Sequence, residues 1–386
     1  MMKRFTYLRK DERGMSMVFT AVGLMAFLAA TTLSIDVGMF MAARSQAQNA
    51  ADAGALAGAT ALVFNSFTDR SSTGPVVNSA ISAATANQVV GQAPSVTPAD
   101  VTFPMDPSGQ PTRVAVTVYR TASRSNAIPT LMGSLFGVKT VDIGATATAE
   151  ASPANAETCV KPFTIPDKWL EKQTPAWDPT DTFDMFDNKG NLLPNPDVYI
   201  GPSDPAHYTG YNADRDRGLE IVLKANNQLK VTASFYNPWD LPGSVGAADY
   251  RANISGCNSS VVPIGQSMPP ETGNMVGPTA QGMDDLIALD PDAYWDTNCN
   301  CVAGSKYGSK SPRIVVIPVY DPVKFADGAA HGKNIVLNVV NFIGFFIEPE
   351  SGGNVKGRIT PVAGLYDGNA GPAPSGAFPK SIRLVK

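Results

Sequence analysis

The expected architecture is α+β: a single N-terminal transmembrane helix that continues into a long helix, then a small α+β module, then a β-rich domain stabilised by disulfides. Three observations predict it. Residues 15–35 carry no charge. Residues 37–62 are dominated by alanine and hold no proline. Beyond them, short alternating apolar runs are separated by turn residues, and the chain's 34 Gly and 31 Pro thicken toward its C-terminal half.

At 386 residues the chain is long enough for two to three domains of ~150 residues each. A composition of 44% hydrophobic and 17% charged residues is that of a folded protein. The net charge of -4 argues against a nucleic-acid partner, because no excess of cations would release counterions from a polyanion. Two histidines, His207 and His331, starve any mechanism built on a His triad or a multi-His metal site.

The stretch from Met15 to Ile35 is the length a helix needs to cross a ~30 Å hydrocarbon layer. Lys3, Arg4, Arg9, Lys10 and Arg13 precede it, and basic flanks stay on the cytoplasmic side. The expectation is therefore a cytoplasmic tail over 1–14, a span over 15–35 in the inner membrane, and the bulk of the chain outside the cytoplasm, with the lipid bilayer as a first partner. A cleaved signal peptide is the alternative; its small-x-small site would have to come from Ala26, Ala29 and Ala30.

After Asp36 the helix-forming composition carries the helix onward. Arg44, Gln48 and Asp52 stand four apart and form a polar face. Ala47, Ala51, Ala55 and Ala59 line one adjoining face, and Ala50, Gly54 and Gly58 another. Small residues at this spacing let a second backbone approach closely, either from the same domain or from a partner subunit.

The block from Arg13 to Ala61 includes Ile-Asp-Val-Gly at 35–38 and Arg-Ser-Gln-Ala-Gln-Asn-Ala-Ala-Asp-Ala-Gly-Ala-Leu-Ala-Gly-Ala at 44–59. It resembles the N-terminal domain of the TadG-like proteins of the tight-adherence (Flp) pilus-assembly system. The resemblance implies a non-catalytic, membrane-anchored accessory component of type IVb pilus assembly and secretion. It also implies partners among other pilus-assembly membrane proteins, with envelope or pilin contacts and a role in adhesion. Related pseudopilins are cut after a glycine and carry Glu five residues later; Gly14 is suitably placed here, but the fifth residue is Phe19. A minor pseudopilin cleaved after Gly14 is one alternative, and an anchored extracytoplasmic hydrolase or adhesin is another. No Asp-x-Ser-x-Ser is present, so metal-dependent adhesion of the von Willebrand type is not expected.

The membrane-proximal module is expected over 36–152. A helical run spans Val76–Val90 beside the long helix, Arg113–Arg120 and Val141–Ala149 alternate as strands, and Leu131–Phe136 is a short helix between them. Ala151–Glu157 is the expected hinge. The domain over 153–386 has strand candidates at 218–225 and 229–236, which read as a hairpin about Asn226-Asn227, and at 313–320, 334–347, 357–362 and 382–385. These suggest a sandwich or an irregular β domain, with one short helix at 283–289.

The four cysteines, Cys159, Cys257, Cys299 and Cys301, are disulfide candidates in an oxidising compartment. Cys299 with Cys301 is the disfavoured pair, since one intervening residue closes a strained ring, so Cys159 and Cys257 are each expected to join one of the other two. Asp178, Asp181, Asp184 and Asp187 could supply oxygen ligands to calcium, but the EF-hand register fails and a solvated turn is expected. Asp284, Asp285, Asp290 and Asp292 read as cap and turn residues, and 304–311 as a flexible loop that lacks the phosphate-loop spacing. Trp169, Trp177, Trp239 and Trp295 are expected mostly as core plugs. No catalytic or cofactor motif stands out, and no cofactor is expected.

Overall fold

The computed structural model describes the chain except residues 1–12, 66, 68, 108, 175, 227, 334, 336, 351, 352 and 386. The basic residues ahead of Arg13, and Asn227 of the expected hairpin, lie outside the described residues. Two compact units emerge. The first takes the chain up to Ala61, Asp69–Glu150 and the end from Arg383; the second takes Leu62–Thr68 and Ala151–Ile382.

In the first unit, helix α1 (Arg13–Phe64) runs 52 residues without a break. No proline interrupts it, and its hydroxyls are absorbed by the helix itself: Thr20, Thr31 and Ser34 donate to carbonyls four residues back at 2.8, 3.1 and 2.9 Å. Along its apolar stretch the side chains stand uncovered, with Met17 at 77%, Phe19 at 71% and Met25 at 74% exposure. This helix is long and apolar enough to cross a membrane.

Helix α2 (Pro75–Ala86) starts with proline in its first turn, where the missing N–H costs nothing, and buries Val76, Val77, Ala80 and Ala84. Short strand β1 (Val101–Thr102) adds to β2 (Arg113–Arg120), whose apolar positions Val114, Val116 and Val118 are fully buried. After β3 (Ile128–Pro129) and β4 (Thr140–Val141) pair, β5 (Ile143–Pro153) returns along β2, in antiparallel register from Arg113 opposite Glu150 to Arg120 opposite Ile143. Arg113 bonds Glu150 at 2.7 Å across the two strands, and Arg124 forks onto Asp100 at 3.0 and 2.8 Å, joining the turns before β1 and after β2. The expected helix at 131–136 is a 3-10 turn over Gly133–Phe136.

The second unit contains β6 (Ala156–Glu157), β7 (Phe163–Pro166), β8 (Glu220–Ala225), β9 (Phe235–Pro238), α3 (Gly246–Ser255), β10 (Val262–Pro263), β11 (Ser267–Met268) and α4 (Val276–Leu289). It continues with β12 (Tyr294–Asp296), β13 (Cys301–Ala303), β14 (Ile314–Tyr320), α5 (Pro322–Ala330), β15 (Leu337–Glu348), β16 (Val355–Ile359) and the start of β17 (Lys380–Val385).

The expected sandwich is instead a closed barrel. Strands follow one another as β15, β14, β7, β9, β8 and β16, and β16 pairs back onto β15 from Phe345 opposite Ile359 to Glu348 opposite Lys356. Closure is possible because β15 is twelve residues long and bonds a neighbour on each side. Alternate residues fill the interior, as the period of a strand requires: Val315, Ile317 and Val319; Ile343, Phe345 and Ile347; Ile221 and Leu223; Phe163 and Ile165. Tyr250 and Ile254 of α3, with Met283 and Leu286 of α4, join the same core. Gly357 is required on β16, because a Cβ there would collide with the Phe345 ring and the Phe346 carbonyl.

The hairpin at 218–236 is overturned. Strands β8 and β9 run parallel, with Lys224 N–H on the Ser234 carbonyl at 2.7 Å and Asn226 N–H on that of Tyr236 at 2.9 Å. The reason lies in residues 231–233, which bond another loop: Phe183 N–H donates to the Val231 carbonyl at 2.8 Å and Ala233 N–H to that of Asp181 at 3.2 Å. Val231 and Ala233 thereby enter a second core with Trp169, Trp239 and Phe342. Helix α4 is longer than the expected 283–289, and α3 and α5 arise where the sequence reading places no helix.

The cysteine pairing is also overturned. Cys159 bonds Cys257, and Cys299 bonds Cys301. The first pair is set by β6 against β10, whose ladder ends beside it, and by Cys159 N–H on the Asn258 carbonyl at 3.0 Å. The second is permitted by Asn300, whose left-handed backbone, φ 53°, turns the flanking residues to a Cα separation of 5.2 Å.

Candidate functional site

The most distinctive geometry of the first unit surrounds Asp36, the residue that ends the apolar stretch. Its carboxylate is 4% exposed. It accepts backbone N–H groups from Leu131 at 3.0 Å, Met132 at 3.1 Å and Gly133 at 2.7 Å. Successive amides at the start of a short helical turn form a ready anion cradle, and Asp36 fills it. One side chain thus ties the loop after β3 to a fixed level on α1. The sequence holds a signal for this role, a lone acid at the very end of a charge-free run, but no sign of which amides it would meet.

Further along α1 the small residues are the packing face. Ala47, Ala50, Ala51 and Ala55 are buried. A Cβ on Gly54 would lie 2.9 Å from the Ala84 Cβ and 3.1 Å from Val116; one on Gly58 would lie 2.7 Å from Val114 and 3.3 Å from the Ala80 Cβ. Helix α1 therefore meets α2 and β2 of its own module at these positions. Polar residues take the neighbouring face: Gln48 donates to Asp52 at 2.8 Å and to the Thr146 carbonyl at 3.4 Å. Arg44 stands exposed beside an open groove of about 390 Å³ lined by Val37, Phe40, Met41 and residues 141–144. Gly14 lies inside the first turn of α1.

In the second unit a large cleft, about 700 Å³, is lined by Asn226, Asn237, Glu271, Asn274, Met275 and Phe325 among others. A hydrogen bond to Asp240, together with burial and the Asp240 charge, pushes the Glu271 carboxyl up to about 7. A carboxyl close to a second carboxylate holds its proton more tightly, because like charges at short range disfavour ionisation. Sequence reasoning singled out no such pair, because Asp and Glu are common and their approach depends on the Pro238 carbonyl accepting from Glu271 N–H at 3.2 Å.

Asp167 is a second acid that sequence reasoning missed. It is fully buried and accepts from Tyr199 Oη at 3.0 Å, Tyr208 Oη at 2.8 Å, Tyr211 N at 3.0 Å and Lys168 N at 2.9 Å. Burial outweighs these donors and pushes its carboxyl from 3.8 up to about 6. A carboxyl that binds its proton more tightly when folded stabilises the fold most in acid and loses that contribution as pH rises from about 4 to about 6. The amount is on the order of 3 kcal/mol. In urea unfolding between pH 4 and 8, the free energy of wild type minus that of Asp167→Asn is expected to fall across that window and stay flat above it; a difference independent of pH would contradict this.

The acidic repeat at 178–187 turns inward on its own loops. Asp178 caps Thr180 N–H at 2.6 Å, Asp181 accepts from Asp178 N–H at 2.7 Å, and Asp187 accepts from Lys189 and Asn191 N–H at 2.8 and 2.9 Å. Among the described residues no group of three or more His, Cys, Asp or Glu side chains is arranged to hold a metal ion. Residues 304–311, expected as a flexible loop, wrap a carboxylate: Ser305 and Ser311 each donate to Asp290 at 2.6 Å. His207 pairs with Asp204 at 2.9 Å on the surface, and His331 ends α5 with its ring on the Gly190 carbonyl at 3.1 Å. Trp169, Trp239 and Trp295 are buried, while Trp177 is half-buried under the Lys168 ammonium at 4.5 Å.

Residues 14–61, the segment that carries Asp36 and the small-residue face, match the family model described as putative Flp pilus-assembly TadE/G-like. No curated protein and no solved structure matched the chain.

Proposed function

We propose, from the premise that residues 14–61 are a TadE/G-like segment, that the protein is a non-catalytic accessory component of Flp/Tad pilus assembly and secretion. It is held by one membrane span and works through protein–protein contacts. The observation that carries the reading is the coincidence of the family match with one unbroken helix, apolar at its start and lined with small residues further on. In this reading the inner membrane holds residues 15–35, the N-terminus is cytoplasmic, and both units lie in the periplasm or outside the cell. Two disulfides are in keeping with an oxidising compartment. The first unit positions the chain beside other assembly proteins, and the second reaches envelope or pilin components.

Two measurements test it. Alkaline carbonate washing is expected to leave the full-length protein in the membrane fraction, and deletion in a strain that makes Flp pili is expected to abolish or reduce piliation and adherence. Release by carbonate, or normal pili after deletion, would refute the reading. The N-terminal residue found by mass spectrometry separates it from a pseudopilin, since a mature chain starting at Met15 requires cleavage after Gly14.

A second reading, an anchored hydrolase, has one observation in its favour: the Glu271 carboxyl, raised by its hydrogen bond to Asp240, lines the large cleft. A carboxyl that keeps its proton near neutral pH can serve as a general acid in hydrolysis. Turnover of glycans or peptides by the wild-type protein that disappears in Glu271→Gln would favour this reading; inactivity of both would leave the cleft as a binding surface.

A further inference from the structure

The loop that Asp36 holds leaves two of its apolar side chains open. Leu131 is 61% and Val138 50% exposed, flanking the 3-10 turn Gly133–Phe136. From Ser125 to Val141 the sequence contains one charged residue, Lys139, and no acid. Such composition is unusual for a water-facing loop, where turns are normally built from polar residues.

Its height is fixed by the helix. Met15 to Ile35 is 21 residues, or about 31 Å of helix, so the end of that stretch coincides with the edge of a ~30 Å hydrocarbon layer. Asp36 is the next residue, and its three amide bonds bring Leu131, Met132 and Gly133 to that edge. Lys139 follows Val138 and is exposed, placed as a cation that can reach lipid phosphates while the apolar neighbours lie deeper.

We infer that the loop from Leu131 to Val138 inserts the Leu131 and Val138 side chains into the interfacial layer of the lipid bilayer, as a second membrane contact pinned to the end of the span by Asp36. The occupant is lipid because the exposed apolar residues continue directly from the uncovered stretch of α1. A chain crossing the membrane once is free to tilt and spin; a second contact beside the span restricts how the first unit is presented. The inference rests on the membrane-anchored reading above.

Site-directed spin labelling of the full-length protein in phosphatidylethanolamine/phosphatidylglycerol vesicles tests it. All four native cysteines are in disulfides, so single added cysteines can be labelled selectively. Leu131→Cys and Val138→Cys report on the loop, Phe27→Cys on the span, and Ser82→Cys on the exposed side of α2. The expected result is that labels at 131 and 138 shift toward the span label, colliding more with oxygen than with a water-soluble nickel chelate, while the label at 82 does the reverse. If 27 reports lipid but 131 and 138 report water, the inference fails and the anchor stands. If 27 also reports water, the anchored reading itself fails. In the Asp36→Asn background the label at 138 is expected to lose its oxygen preference; retention of that preference in a folded variant would overturn the pinning role, and the labels in the unsubstituted background decide the lipid contact if the variant does not fold.

Discussion

Replacing Arg313 by alanine is expected to cost the second unit about 3 to 5 kcal/mol, the range for removing one side of a buried charged network. The guanidinium is 1% exposed. Nε and Nη2 donate to the Ile347 carbonyl at 2.9 and 2.8 Å, and Nη1 donates to those of Asp290 and Ala293 at 3.0 and 2.7 Å. The Phe346 ring lies 4.9 Å from it. Without Arg313 the Ile347 and Ala293 carbonyls lose these donors in a buried site, while that of Asp290 keeps the Ala293 N–H at 3.3 Å. The buried Asp290 carboxylate, which takes the two serine hydroxyls, would also lose its nearby cation. Lysine keeps the charge but not the fork, so Arg313→Lys should fall between wild type and alanine. Urea unfolding followed by tryptophan fluorescence reads the effect, since Trp295 packs on Phe346 at 6.2 Å. A loss under about 1 kcal/mol, the net value of one ordinary hydrogen bond, would contradict this account.

The second large effect concerns the disulfides, which should differ sharply in what they contribute. Cys159 and Cys257 are 98 positions apart, and closing a loop of that size restricts the unfolded chain by about 4.7 kcal/mol. Cys299 and Cys301 are 2 positions apart, and the same relation gives about 1.5 kcal/mol. The double substitution Cys159→Ser/Cys257→Ser should therefore lower unfolding stability by several kcal/mol more than Cys299→Ser/Cys301→Ser. Equal effects would mean that the unfolded chain is already held together by other contacts. Peptide mapping that joined Cys159 or Cys257 to either of the other two cysteines would overturn the pairing itself.

The long helix was legible because one apolar stretch of spanning length is joined to an alanine-rich run, both local properties. Arg113–Arg120 was legible because alternation over eight residues is a local property too. The barrel's strand order was not, since it sets β7 beside β14 across roughly 150 positions and no periodicity encodes which strands neighbour each other. The failed hairpin has the same cause: Val231 and Ala233 read as strand residues, but their partners came from the loop at 181–183. Helix α5 could have been found. Asp321-Pro322 is a cap followed by a first-turn proline, and Asp321 does accept from Val323 and Lys324 N–H at 2.9 and 3.3 Å. Of the site at Asp36, sequence supplied the acid and its position at the end of the span, while the three amides it holds lie 95 to 97 residues away.

The seam between β15 and β16 has a bearing on how the distal unit can recognise anything. Among the described residues the first and last staves of the cylinder are bonded to each other and the two-residue β11 is the outlying strand of that sheet, so its wall offers a passing chain little room for an extra strand. That favours recognition through the side chains at its rims. Those loops could then be exchanged, and the preference for a target with them, while the wall that carries them stays the same.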